Sequence, residues 1–234
     1  MAVPRYLDPP PPPQPLSGPP APAGAVLVFA PHPDDETAGP GATLRLHALR
    51  GDAIKVIFLT AGLAAGEEGR LDPERYQRLR EDEARRAGEV LGVAEMEFWG
   101  LPDGARAREE DLGMLVPRFA AALEAWQPRL AYVPRVEEIH RDHHVTALAA
   151  QAACRLVQAP PRLLAYEIWT AAPPRWVVDV TDVHADKVRA GRCYESQLRH
   201  TDLVRAFTGL NTYRAIFLPK GRLFGEAFDE YTHS

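Results

Sequence analysis

The chain alternates short apolar runs with stretches whose apolar residues recur at helical spacing. "AVLVFA" (25–30) reads as a buried strand, Gly41 to Arg50 as a helix and "AIKVIFLT" (53–60) as a second strand. "EMEFWG" (95–100) is a third strand candidate, followed by a helix around 111–126 and then by "RLAYVPR" (129–135). Near-continuous apolar strands separated by helices are what a parallel sheet covered on both faces requires.

The segment 71–93, "LDPERYQRLREDEARRAGEVLGV", carries its own punctuation: Asp72 can cap, Pro73 suits the first helical position and Gly92 the stop. Tyr76, Leu79, Ala87, Val90 and Leu91 make its apolar stripe, but Arg80 and Glu83 fall on or beside it. They are either an ion pair snorkelling at the stripe's edge, worth about 0.3–0.5 kcal/mol, or an arginine reaching into a cleft. The run at 9–24, "PPPPPQPLSGPPAPAG", favours polyproline II and lacks ladder donors, so residues 1–24 are expected as an arm outside the core. Residues 25–234 are expected to form a single domain of the α/β class, a Rossmann-like, mostly parallel sheet with helices on both faces.

At 234 residues the chain can bury one sizeable core. A net charge of −5, with arginines interleaved among acids, speaks against nucleic acid as a partner. Cys154 and Cys193 have no C-x-x-C spacing, so neither a disulfide framework nor a thiolate zinc site is indicated. No apolar stretch approaches membrane-spanning length and no secretory leader is evident, so no membrane partner and a cytoplasmic location are expected.

The chemistry concentrates in two places. "PHPDDE" (31–36) sets one imidazole and three carboxylates, His32, Asp34, Asp35 and Glu36, at the carboxyl end of the first strand. Like charges so close cost stability unless a cation or solvent compensates them. "HRDHH" (140–144) follows "RLAYVPR" and opens the helical stretch "VTALAAQAACRLVQ". In a parallel sheet both clusters lie on the rim where ligands bind. His32, one of the aspartates and a second-cluster histidine would offer two imidazoles and a carboxylate to a zinc ion with positions left open, and Fe2+ accepts a similar set. Asp34 and Asp35 are expected to point apart, one as a ligand and the other for base work.

These residues resemble the PIG-L (LmbE-like) family of zinc-dependent N-deacetylases, whose "AHPDDE" stands here as "PHPDDE" and whose "HPDH" stands as "HRDH" (140–143). Weaker likenesses across 25–230 are "RLREDEARRAGEVLGV" (78–93), "LPDG" (101–104), "WVVDVTD" (176–182), "YESQ" (194–197) and "GEAF" (225–228). The resemblance implies that His32, Asp35 and His143 hold zinc and that Asp34 is the general base. It implies that His140 stabilises the oxyanion or protonates the leaving amine, that Asp142 orients His140, and that Arg80 and Asp103 contact the sugar. Arg141 stands where the family has Pro and His144 is additional, which leaves His144 as the alternative third imidazole.

The activity so implied is hydrolysis of the N-acetyl group of a small N-acetylglucosaminyl conjugate, such as the malate conjugate that precedes a low-molecular-weight thiol. Arg70 in "GEEGR", Arg80 and "AFTGLNTYR" (206–214) are the candidate specificity elements, and Trp169 and Trp176 are candidates for stacking on a sugar. A non-haem Fe(II) oxygenase and a non-catalytic, metal-stabilised sugar-binding module are the alternatives. The arm and assembling relatives leave a homo-oligomer open.

Overall fold

The computed structural model describes residues 11–62, 72–104 and 109–232. Among them the strands are β1 (Gln14–Leu16), β2 (Val26–Ala30), β3 (Ile54–Thr60), β4 (Glu95–Leu101), β5 (Leu130–Pro134), β6 (Arg162–Tyr166), β7 (Trp176–Asp179) and β8 (Gly225–Tyr231). The helices are α1 (Asp35–Ala38), α2 (Gly41–Arg50), α3 (Pro73–Leu91), α4 (Glu109–Trp126), α5 (Arg141–Cys154), α6 (His184–Gly191), α7 (Glu195–Leu198) and α8 (Leu203–Arg214). One sheet holds every strand in the order β1-β7-β8-β6-β5-β2-β3-β4, and β8 runs against both neighbours while the remaining pairs are parallel.

Side chains alternate across this sheet and divide the core in two. Val26, Val28 and Ala30 of β2 pack on one face with Ala42 and Leu44 of α2, Ala84, Ala87 and Leu91 of α3 and Ala190 of α6. Leu27 and Phe29 pack on the other with Leu115, Phe119 and Leu123 of α4 and Val145, Ala149 and Ala150 of α5. Burying one such large apolar side chain contributes about 1.5–3 kcal/mol, and the two-faced burial is why β2 reads as an uninterrupted apolar run.

α3 starts and stops where its sequence says. Asp72 accepts the Arg75 amide at 3.0 Å, Pro73 opens the helix, and Gly92 ends it with φ 83°, a conformation costly for any residue with a Cβ. Its buried face differs from the expected stripe, because Arg80 and Glu83 are buried with Tyr76, Ala84, Ala87 and Leu91, whereas Leu79 is exposed. α5 begins at Arg141, before the expected apolar stretch, since His140 caps it.

The Pro-rich segment is a second difference. Gln14–Leu16 pairs with β7 at the sheet edge, Ala21 joins the core, and the Pro20 and Ala21 carbonyls accept from Arg162 (2.6 Å) and Arg50 (2.7 Å). Prolines lack the amide donor but keep the carbonyl, and an edge strand needs donors on one side only. Gln14–Leu16 therefore belongs to the sheet and Ala21 to the core, while the remaining described residues of the segment have no strand pairing.

The chain order sets the site. From β2 the chain proceeds through β3 to β4 on one side, then crosses back through α4 to β5 on the other side of β2. The connections leaving β2 and β5 diverge, which opens a crevice at their carboxyl ends.

Candidate active site

After β2 the chain turns sharply through Pro31–Asp34 into α1. The Pro31 carbonyl accepts the Thr60 amide (2.9 Å), and Asp34 adopts φ 132°, a strained value for a residue with a side chain that costs about 1–3 kcal/mol. Neighbours hold it there. Its amide donates to Glu36 Oε2 (3.1 Å), and Arg80 donates to the Pro33 carbonyl and to Asp34 Oδ2 (3.2 Å). Glu36 is buried with the Tyr194 hydroxyl on Oε1 (2.6 Å), and burial pushes its carboxyl up to about 7. Gly39 is required just beyond, because a Cβ there would stand 2.3 Å from the Tyr166 ring.

The expected divergence of the two aspartates is present. Asp34 turns to Arg80, while Asp35 Oδ2 accepts the His32 amide (2.9 Å) and stands 3.1 Å from His32 Nδ1. The loop after β5 delivers the second cluster: His143 Nε2 lies 3.2 Å from the same Asp35 oxygen. His144 faces away, with Nδ1 2.6 Å from the Val136 carbonyl, so the imidazole brought to the site is His143. Asp142 Oδ2 is 3.0 Å from His32 Nε2 and accepts the Gly104 amide (3.1 Å), but is 3.9 Å from His140 Nδ1. Its carboxylate thus meets His32 rather than His140, whose Nδ1 instead accepts the Asp142 backbone amide (3.3 Å).

The donor set fits a divalent metal. Around zinc with bonds of about 2.0–2.1 Å, neighbouring ligand atoms lie roughly 3.3 Å apart, close to the 3.1 and 3.2 Å separating Asp35 Oδ2 from the two imidazole nitrogens. With Asp142 on Nε2, His32 has its other nitrogen turned to the shared oxygen, the arrangement by which outer carboxylates fix a ligating ring. Nitrogens of His32, His140 and His143 also lie within 4.8 Å of one another.

Charge points the same way. Burial lowers the His32 and His143 pKa values, but the carboxylates around them outweigh it: Asp142 and Asp35 push His32 up to about 10, and Asp35 and Glu138 push His143 up to about 9. Asp35, despite a burial that favours its neutral form, is held well below the usual carboxylate range by His143 and His32. Burial raises Asp34 to about 6 against the pull of Arg80. Burial lowers His140, and the neighbouring His32 and His143 add to it.

A cavity of about 480 Å3 surrounds these groups, walled by Asp103, Ile139, Trp169, Gln197 and Thr201 among others. Asp103 lies on its wall with Oδ1 accepting the Gly62 amide (3.1 Å). Arg80 reaches in from α3 but is only 1 % exposed, its donors directed at Asp34, Pro33 and Ser196. Arg70 lies outside the described residues. Trp169 is half-exposed on the wall, whereas Trp176 is buried beneath Arg162 and Arg175. Within 206–214, Arg214 is buried against Glu167. Sequence reasoning missed Glu138, beside His143, and Ser196, which links Arg80 to Glu83; the latter sits in the noted "YESQ".

Residues 27–154 match the PIG-L family model, described as GlcNAc-PI de-N-acetylase. The chain belongs to the PIG-L family. It is 33 % identical over 183 residues to a 1D-myo-inositol 2-acetamido-2-deoxy-alpha-D-glucopyranoside deacetylase of Saccharopolyspora erythraea, covering 70 % of this chain and 57 % of that protein. A conserved protein of Thermus thermophilus shares the fold with a TM-score of 0.75 and 27 % identity, over 89 % of this chain and 95 % of the other. The 4-carboxy-2-hydroxymuconate hydratase GalB of Pseudomonas putida KT2440, at 23 % identity and TM-score 0.74 over 89 % and 96 % of the chains, shows the fold alone. The chain spans from 33 % to 57 % of the length of the inositol-conjugate deacetylases it matches. No helix among the described residues is long and apolar enough to cross a membrane.

Proposed function

We propose that this PIG-L protein is a zinc-dependent amidohydrolase that removes the N-acetyl group from an N-acetylglucosaminyl conjugate. The observation that carries the reading is the meeting of His32, Asp35 and His143 at one carboxylate oxygen, beside a second aspartate turned the other way. Family membership and the inositol-conjugate relative support the substrate class. Fold alone does not choose, since GalB is a hydratase.

His32, Asp35 and His143 would hold the metal, which when bound supplies Lewis acidity that polarises a carbonyl and acidifies water. Asp34 is the general base: burial raises its carboxyl above the ordinary aspartate value, which makes it a better acceptor for the proton of the attacking water. Arg80 keeps that carboxylate aimed while its strained backbone is clamped by Glu36. His140 accepts the Asp142 amide at Nδ1, so its neutral ring carries a proton on Nε2 and can donate to the tetrahedral oxyanion. Such a stabiliser is worth about 3–4 kcal/mol in the transition state. The departing amine takes its proton from Asp34 or His140. Asp142 orients both rings, His32 through its carboxylate and His140 through its amide.

Asp103 is assigned to a sugar hydroxyl on the family likeness, and Arg70, in the "GEEGR" stretch, to specificity. The aglycone proposed is a small polar group, such as the malate of a thiol precursor. The oxygenase and binding-module alternatives have no observation in their favour. The test is primary-amine release across N-acetylglucosaminyl conjugates, with zinc and with chelator. Release that needs zinc is expected; no release from any conjugate, or release indifferent to chelator, contradicts the reading.

A further inference from the structure

Glu138 plays no part in the chemistry above, yet its side chain is fully buried between β5 and α5. A buried carboxylate needs compensation, and this one receives it from three consecutive amides. Ile168 donates to Oε1 (2.8 Å), Trp169 to both oxygens (3.1 Å each) and Thr170 to Oε1 (3.3 Å). The next residue, Ile139, donates its amide to the Thr170 hydroxyl (3.2 Å), so the loops 138–140 and 168–170 are fastened together at two places.

The same carboxylate faces the candidate metal site. Oε2 stands 3.7 Å from His143 Nδ1, too far for a hydrogen bond, and that nitrogen is buried with no hydrogen-bond partner. An imidazole that ligates through Nε2 carries its proton on Nδ1 and needs an acceptor there. Glu138 is the carboxylate placed to provide it. The loop it anchors presents Trp169, 45 % exposed, to the wall of the cavity that contains His143.

We propose that Glu138 is a positioning residue that ties the His143 ring to the Trp169 loop, so that one carboxylate sets both metal affinity and the placement of the aromatic wall of the substrate cavity. The inference rests on His143 as a metal ligand but not on the reaction catalysed. Its consequence is coupling: filling the metal site draws Nδ1–H towards Glu138 and is felt at Trp169.

The test uses the full chain labelled with 5-fluorotryptophan, stripped of metal and titrated with zinc. Fluorine NMR follows the Trp169 signal, identified by its loss in Trp169→Phe, and chelator competition gives zinc affinity. In the unsubstituted chain zinc is expected to move the Trp169 signal. Glu138→Gln keeps an oxygen for the loop amides but loses the charge, and zinc affinity is expected to fall about 10–100-fold with a smaller zinc-induced shift. Glu138→Ala is expected to move the Trp169 signal even without zinc; should that variant not fold, Glu138→Gln decides alone. A purely structural anchor would lower the melting temperature and leave zinc affinity untouched, so unchanged affinity in Glu138→Gln, or an unchanged zinc-induced shift, overturns the proposal. Absence of amine release with zinc bound would sink only the hydrolase reading, whereas failure of the parent chain to bind zinc would sink both.

Discussion

Among the described residues, histidines meet buried aspartates in two places, and the two behave in opposite ways. His47 on α2 sits 2.6 Å from Asp52 Oδ2 through Nδ1 and 2.9 Å from the Tyr132 hydroxyl through Nε2. Its carboxylate also binds Arg50 (2.5 Å) and accepts the Gly24 amide (3.0 Å). There one acid is matched by one guanidinium, both ring nitrogens have partners, and burial lowers the histidine's pKa. At the other end of β2, His32 and His143 face Asp35, Asp142 and Glu138, and the nearby Arg80 pairs with Asp34 instead. Their pKa values rise to about 10 and 9. Burial beside an aspartate alone does not suit a cation; two imidazoles sharing one carboxylate oxygen, in an excess of acids over cations, is a donor set that fits one.

The largest expected difference between the two places comes from Asp35→Ala. It removes the oxygen common to His32 and His143, and stoichiometric zinc, read by elemental analysis, should be lost together with turnover, to below about 10⁻⁴ of the parent. Asp34→Ala should keep the zinc and lose about 10²–10⁴-fold in amine release, the usual worth of a general base. Undiminished hydrolysis in that variant would remove the role assigned to Asp34.

His47→Ala supplies the opposite result. It strands Asp52 and Tyr132, and urea unfolding should show a loss of roughly 3 kcal/mol with zinc content unchanged. Loss of zinc there would erase the distinction between the two contacts. The smallest effect is in pH. The folded pKa of His47 lies below its ordinary 6.5, so below that pH the unfolded chain takes up a proton that the folded chain refuses. Stability should fall as pH drops from 6.5 towards the folded value, by at most about 1.4 kcal/mol per pH unit, and subtracting the His47→Ala profile from the parent should isolate that slope.

The stretch from β2 to α5 was legible because its signals are local. Buried strands are uninterrupted apolar runs, and Asp72, Pro73 and Gly92 mark the ends of α3 in three residues. Both candidate clusters could be placed on one rim because each follows the carboxyl end of a strand, the first directly and the second after a short loop. What crosses the chain was not legible. Asp142 meets His32 across 110 residues, and no spacing rule selects that partner over His140 two positions away. Arg80 was visible as an anomaly on its stripe, but its target, the Asp34 turn, lies on another element. β8 hid behind its acids: Glu226 is buried in that strand, accepts the Ala42 and Thr43 amides at the start of α2 and pairs with Lys187, so a capping residue broke the apolar pattern. The Pro-rich segment misled because its carbonyls, which composition ignores, bind arginines of the domain.

X-ray absorption at the zinc edge, on the full chain loaded with one equivalent of the metal, interrogates the shared-oxygen site itself. Two imidazole nitrogens with oxygen ligands at about 2.0–2.1 Å are expected, falling to one imidazole in His143→Ala. A shell without imidazole, or one that His143→Ala leaves intact, would mean that His32, Asp35 and His143 do not share a metal.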